Sequence, residues 1–274
     1  MNDVIKTERF TNSKSLKELN EPYYLILLFD GTARFSIDFT GYTCNGKSLI
    51  FLSPYQLLRW STGNQPVVDL LRFHGDFYCI EYHKEEVACN GILFNNIYER
   101  PFFSVPDAIF HEIAAVFYKI KAMENSLQNV DLSIMRSYLQ LILALSSKEK
   151  QINMAENHMA NHGRNSLASF KNLLEKHFIS NRSVSFYAAH YGLSADAFSK
   201  QIKKQFGKTP SQLIQERLIL ESKRLLHLTF KSIKEIATEL GFEDSFYFSR
   251  FFKKETGVSP KIFREKVGIS IAAK

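Results

Sequence analysis

The sequence predicts an α+β chain. Its first half reads as a β-barrel or small sandwich with trailing helices. Its second half reads as an all-α domain of two helix-turn-helix units joined by a long helix. Three observations carry this. Short strand-like runs between turn residues fill 22–105. Apolar spacing switches to threes and fours after residue 107. A pattern of residues within 183–210 returns within 232–260.

The β region opens on YYLILLF, an apolar run. Asp30-Gly31 then signals a turn, and Phe35, Ile37 and Phe39 alternate with Arg34, Ser36 and Asp38. Further strand-like pieces are Ser48–Leu52, Gln56–Trp60, Val67–Phe73 and Phe77–Glu81. Turn residues separate them at Asn45-Gly46, Pro54, Gly63-Asn64, Pro66 and Gly75-Asp76. Strands at this spacing suggest a small sandwich or barrel over 1–106. Its inward residues would include Phe35, Ile37, Phe39, Phe51, Trp60 and Phe73. These either line a pocket for a small effector or fill the barrel outright.

Residues 107–149 read as helical. Ile109, Ile113, Val116, Phe117 and Ile120 make one amphipathic face. Residues 131–147 make a wider one with Ile134, Met135, Tyr138, Leu139, Leu141, Ile142 and Leu145. Such a face either packs on the barrel or forms a dimer seam, for which Tyr138, Leu139, Ile142 and Leu145 are the candidates. Residues 150–165 are polar and lose periodicity, as an interdomain linker would, helical in part. His158 and His162 share a helical spacing there, with no third metal ligand nearby.

The repeat occupies the remaining domain, 166–274. Ala188 and Gly192 match Ala237 and Gly241. After one inserted residue, Phe198, Ser199, Lys203, Lys204, Gly207 and Pro210 match Phe248, Ser249, Lys253, Lys254, Gly257 and Pro260, with Lys200 answering Arg250. Each copy reads as a helix-turn-helix, at about 183–206 and 232–255. Ser183 and Ser232 start a short helix, the Ala admits a close neighbour, and the Gly supplies the left-handed turn. Leu193 and Phe242 plug the gap, and Ser194 and Asp244 cap the second helix. On those second helices Phe198 and Ile202, like Phe248 and Phe252, point inward. Asp196, Ser199, Lys200 and Lys203 take the opposite face, as do Phe246, Ser249, Arg250 and Lys253. Hydroxyls and long cations on one face suit a DNA major groove, or form a solvated basic surface. Between the copies, 210–227 fits one long helix opened by Pro210, which would present two helices to grooves about 34 Å apart.

Charge follows the same division. Of 274 residues, 1–165 hold 16 Lys and Arg against 18 Asp and Glu, a net of −2. Residues 166–274 hold 19 against 10, a net of +9. A polyanion partner is therefore expected for the second half. At 45% hydrophobic and 23% charged residues, wholesale disorder is excluded. No apolar run is long enough to cross a bilayer, so no membrane partner is expected. The opening MNDVIKTERF lacks a signal-peptide layout, and Cys44, Cys79 and Cys89 are odd in number and lack CxxC spacing. A reducing cytoplasm is the expected location.

The A-x-x-x-G-[LF] turn, the helix ERLILESKRLL and the run G-F-x-D-x-x-Y-F-S-R-x-F-K-K-x-x-G-x-x-P resemble the DNA-binding domain of the AraC/XylS family of bacterial transcription regulators, over roughly 170–267. The resemblance implies two helix-turn-helix units on promoter DNA, usually activating transcription, with RNA polymerase as a further partner. It implies base-edge contacts from Asp196, Ser199 and Lys200 in the first unit and from Ser245, Phe246, Ser249 and Arg250 in the second. Lys203 and Lys253 would meet phosphate. Asp196 would accept from a cytosine amine or point away; Phe246 would touch a thymine methyl or pack. More loosely, the N-terminal half, with GKSLIFLSPYQ at 46–56, resembles the cupin-like sensor barrels of that family. Those bind an effector in some relatives and dimerise through trailing helices, so a homodimer is expected.

Two enzymatic alternatives are weighed. A cupin metalloenzyme needs clustered His and carboxylate ligands, whereas the barrel region offers only His74 and His83, nine apart. A reactive-Cys repair protein needs a Pro-Cys-His setting or a zinc cluster, which the three cysteines lack. The expectation is a non-enzymatic regulator with no cofactor and no metal.

Overall fold

The structure is a computed structural model that describes residues 4–11, 16, 18–38, 40–61, 66–78, 92–125, 128–160 and 169–269, with the backbone alone for 129 and 157–160. Two antiparallel sheets build the N-terminal half. The first has the order β1 (Ile5–Phe10), β8 (Val68–Phe73), β3 (Tyr24–Phe29), β6 (Ser48–Leu52), β9 (Phe102–Ser104). The second has β2 (Glu18–Leu19), β7 (Leu58–Trp60), β4 (Ala33–Ile37), β5 (Thr40–Cys44). The expected barrel is thus two stacked open sheets. Residues after Asp30-Gly31 leave the first sheet and join the second, so this turn links layers rather than paired strands.

The apolar run of β3 has a physical cause. Strand β3 lies between β8 and β6, and every one of its residues is buried. Leu25, Leu27 and Phe29 enter the core between the sheets. Ile26 and Leu28 face a second core beneath α1 (Asp107–Met123) and α2 (Asn129–Ala160). A strand covered on both faces must be apolar throughout; β4, covered on one, alternates.

Several expectations are corrected. The six residues expected around an effector do not enclose one space. Phe35, Ile37 and Trp60 fill the inter-sheet core, where the Phe35 and Trp60 rings stack at 5.4 Å. Phe51 and Phe73 lie in the other core, and Phe39 falls outside the described residues. Of the predicted strand Phe77–Glu81, Phe77 and Tyr78 sit in a turn with both side chains in the helix-side core; the rest lies outside the described residues. The expected dimer seam is spent internally. Leu139 and Ile142 are fully buried against the first sheet, and Tyr138 and Leu145 pack beside them. Helix α2 also runs on through 150–160. Buried Lys150 anchors this extension by donating to the Arg100 carbonyl at 2.9 Å, and the Asn153 amide reaches the Ser104 carbonyl at 3.3 Å.

The second half holds α3 (Phe170–His177), α4 (Val184–His190), α5 (Ala195–Phe206), α6 (Pro210–Leu228), α7 (Ile233–Glu239), α8 (Ser245–Thr256) and α9 (Pro260–Val267). It has two cores, one at each end of α6. Leu213, Ile214 and Leu218 join the first with Phe170, Tyr187 and Phe198; Leu225 and Leu226 join the second with Ile236, Phe248 and Phe263. Thr209 and Gln212 form a capping box at the start of α6, with Pro210 in its first turn.

The two halves touch at both ends of α6. Ile97 enters the first core, the Tyr98 hydroxyl donates to Glu175 at 2.7 Å, and the Lys208 amine donates to the Ile97 carbonyl at 3.2 Å. Tyr55 enters the second core, and the Lys223 amine donates to the Pro54 carbonyl at 2.8 Å. A cavity of about 370 Å³ opens between these contacts, bordered by Ser53, Asn95, Tyr98, Arg217, Lys223 and Phe263. Lys208 also pairs with Glu216 at 2.6 Å. Burial, opposed by Lys208, pushes the Glu216 carboxyl up to about 7.

Two measurements follow from this packing. Leu139→Ala should lower stability by about 2–5 kcal/mol, read by denaturant unfolding, with no change of oligomeric state, because it opens an internal cavity. The raised Glu216 carboxyl binds its proton more tightly when folded. Its contribution is therefore full below about pH 4.5 and is lost as pH rises through about 7. Between pH 5 and pH 8 the wild-type chain should lose about 1–3 kcal/mol that Glu216→Gln retains. Parallel unfolding profiles for the two proteins would refute this.

Candidate nucleic-acid interface

The second helix of each unit is aimed by its own turn. Gly192 and Gly241 adopt left-handed φ values of +64° and +73°. Beside them the Leu193 amide donates to the Ala188 carbonyl at 3.0 Å, and the Phe242 amide to the Ala237 carbonyl at 2.9 Å. Both alanines are buried, so a larger residue would push the helices apart. The single inserted residue lies between Gly241 and Asp244, and the caps then fall in step. The Ser194 hydroxyl accepts from the Ala197 amide at 3.2 Å, and Asp244 accepts from the Phe246 and Tyr247 amides at 3.0 Å each. Ser232 caps α7 through a capping box with Glu235; Ser183 occupies the N-cap position of α4 without a side-chain cap bond.

The inner faces are locked. Phe198 and Ile202 of α5 and Phe248 and Phe252 of α8 are fully buried. The outer faces carry the expected set. Asp196, Lys200 and Lys203 are exposed with Ser199 half-buried, and Phe246, Arg250 and Lys253 are exposed with Ser245 and Ser249 half-buried. Lys200, Lys203, Arg250 and Lys253 have no ion-pair partner among the described residues. Other cations in this half are engaged: Arg217 with Glu175 and Glu221, Arg224 with Glu221, Lys231 with Glu239. The cations left free for a polyanion therefore recur at matching positions of the two copies.

Three side chains gain definition. Phe246 is 76% exposed, so it projects from the protein rather than packing. Asp196 also points outward, in the first turn of α5, where a carboxylate suits the positive end of the helix. The Ser249 hydroxyl donates to the Ser245 carbonyl at 2.9 Å, which leaves its oxygen as an acceptor. The sequence reading missed Tyr247, 55% exposed beside Phe246; it lies off the repeated face by one residue.

The alternative sites gather nothing comparable. Among the described residues no three His, Cys, Asp or Glu side chains come together as a metal site. The His74 ring sits within 2.7 Å of the Lys266 carbonyl, at the contact between the halves. Cys44 is buried without a disulfide partner. Cys79, Cys89, His83, His162 and the side chain of His158 lie outside the described residues. No described helix is long and apolar enough to cross a membrane.

Comparison with known proteins agrees with the geometry of the second half. A helix-turn-helix domain family model matches residues 187–266. The transcriptional activator RhaR of Cronobacter sakazakii is 37% identical over 82 residues, covering 30% of this chain and 29% of RhaR. The transcriptional activator RhaS of Escherichia coli is 30% identical over 132 residues, covering 47% and 44%. The matches thus span less than half of either relative. The solved C-terminal domain of AraT, a response regulator from Geobacillus stearothermophilus, is 31% identical and covers 38% of this chain and 86% of that one, with a TM-score of 0.35. Residues 187–266 thus match a helix-turn-helix domain family, and the paired units there are similar to those of these regulators.

Proposed function

We propose that this chain is a sequence-specific regulator of transcription that activates from double-stranded promoter DNA. The observation that supports the reading is the duplicated outer face of α5 and α8, with free cations at Lys200, Lys203, Arg250 and Lys253 and locked apolar inner faces. Lys200 and Arg250 read base edges, Arg250 by paired donation to guanine; Lys203 and Lys253 hold phosphates. Phe246 meets a thymine methyl. The N-terminal sheets form the regulatory half, because they touch both reading units, and an effector acts by altering those contacts.

We also propose a homodimer, on a different face of α2 from the one expected. Val130, Ile134, Leu141 and Ile152 are all exposed, at 68%, 37%, 40% and 43%. On a helix these positions fall within about 40° of one another and make one apolar stripe.

A duplex selected from a random library by the full chain provides the test. Arg250→Ala should weaken binding to that duplex by about 1–3 kcal/mol and relax preference at one base pair. An equal loss on random DNA would place Arg250 on phosphate instead. Light scattering should give a dimer at micromolar concentration for the wild-type chain and a monomer for Leu141→Glu; a wild-type monomer would refute the dimer.

A further inference from the structure

The two turn glycines are alike in backbone and unlike in surroundings. A Cβ on Gly192 would meet nothing within 4 Å. One on Gly241 would lie 3.3 Å from the Ile179 carbonyl and 3.6 Å from Nη2 of Arg182. The turn of the second unit is therefore seated on the segment 178–182 that leads into the first. The repeat is symmetric in sequence, and its symmetry is broken at this contact.

Arg182 makes the contact specific. Its Nη2 donates to the Leu240 carbonyl at 2.6 Å, at the end of α7. A helix terminus leaves its last carbonyls without partners, and a guanidinium suits both the missing bond and the negative end of the helix. The same guanidinium lies 4.0 Å from the centre of the Phe242 ring. Phe242 plugs the second turn and abuts Phe248 of the reading helix, ring to ring, at 5.2 Å. The other end of the segment is held from α6, where the Arg217 guanidinium lies 4.1 Å from the Phe178 ring. Ile179, between them, packs against both cores.

We infer that Arg182 is a positioning residue that sets the angle between the two reading helices, by locking the lead-in of the first unit to the turn of the second. Helix α6 joins the units end to end, as a single rod about which each could swing, with Phe251 of α8 packed against both cores. The Arg182 contact closes the joint on a second side. One base pair of added spacing rotates the second groove by about 34° and moves it about 3.4 Å, so a locked pair tolerates one spacing and a loose pair several. Arg182 lies outside the duplicated outer faces, so the role is not base reading.

This inference rests on the DNA-binding reading for its second test but not for its first. In the full chain without DNA, spin labels carried by noncanonical amino acids at Gln205 and Lys254 report the separation of α5 and α8. The wild-type chain should give one narrow distance distribution, and Arg182→Ala a broad one, at unchanged helix content. Arg182→Lys, which keeps the charge but not the planar fork, should broaden it too. A distribution as narrow as wild type in both variants would overturn the inference, whatever the chain binds. On the selected duplex, the wild-type chain should lose about tenfold or more in affinity when one base pair is inserted between the half-sites. Both variants should bind the two spacings within about twofold of each other. Retained spacing preference would likewise overturn the inference, as would rescue by lysine, which would mark Arg182 as a phosphate contact. A chain that selects no duplex at all refutes the function while the distance measurement still decides the lock.

Discussion

Everything in the second half depends on one helix burying two different cores at once. The first turns of α6 contribute Leu213, Ile214 and Leu218 to one unit, and its last contribute Leu225 and Leu226 to the other. An amphipathic helix normally serves one core with one stripe. Here the ends are shared between units, while Glu216 borders a cavity with Ile37 and Asp38, and Lys223 donates to Pro54, of the N-terminal half. Helices α5 and α8 have no independent route to a defined position. Each is held because its inward pair, Phe198 and Ile202 or Phe248 and Phe252, packs in a core to which α6 contributes.

That arrangement also explains how charge is partitioned. Cations near α6 are neutralised by carboxylates or lodged against carbonyls: Arg217, Arg224 and Lys208 by Glu175, Glu221 and Glu216, and Lys223 by Pro54. Those on the outer faces of α5 and α8 are left to solvent. Enclosed charge needs a partner to offset desolvation, whereas surface charge does not. The free cations are therefore where a polyanion can reach them, and Lys208 and Lys223 serve the joint between the halves.

The repeat made the second half legible. Matched Ala, Gly and cap residues located the turns, and Phe198 and Phe248 showed which face of each helix is inward. The helices α3 and α9 lay outside the repeat and went unread, as did Arg182, whose partners Leu240 and Phe242 are remote in sequence. In the first half the long apolar run of β3 and the alternation of β4 were clear. Strands β1 and β5 carry polar, weakly patterned residues, and β9 has three. That there are two sheets, not one barrel, depends on which strands pair, which local periodicity does not encode. The wide apolar surface of α2 was ambiguous for a related reason. Leu139 and Ile142 cannot be told from Ile134 and Leu141 until the sheet that covers one pair is placed.

The pairing of β1 with β8 has a bearing on how the chain is made. Ile5 meets Phe73 and Phe10 meets Val68, so β1 has no neighbour in its sheet until β8 has followed it from the ribosome. Ser48 likewise waits for Ser104. Such distant pairings close slowly, while helices joined by short turns close fast. The N-terminal half thus holds its edge open until β8 has emerged, and the helical half can form within a short interval of emerging. Ile97 and Tyr55, in loops between strands, therefore wait for the helical half to supply their sites.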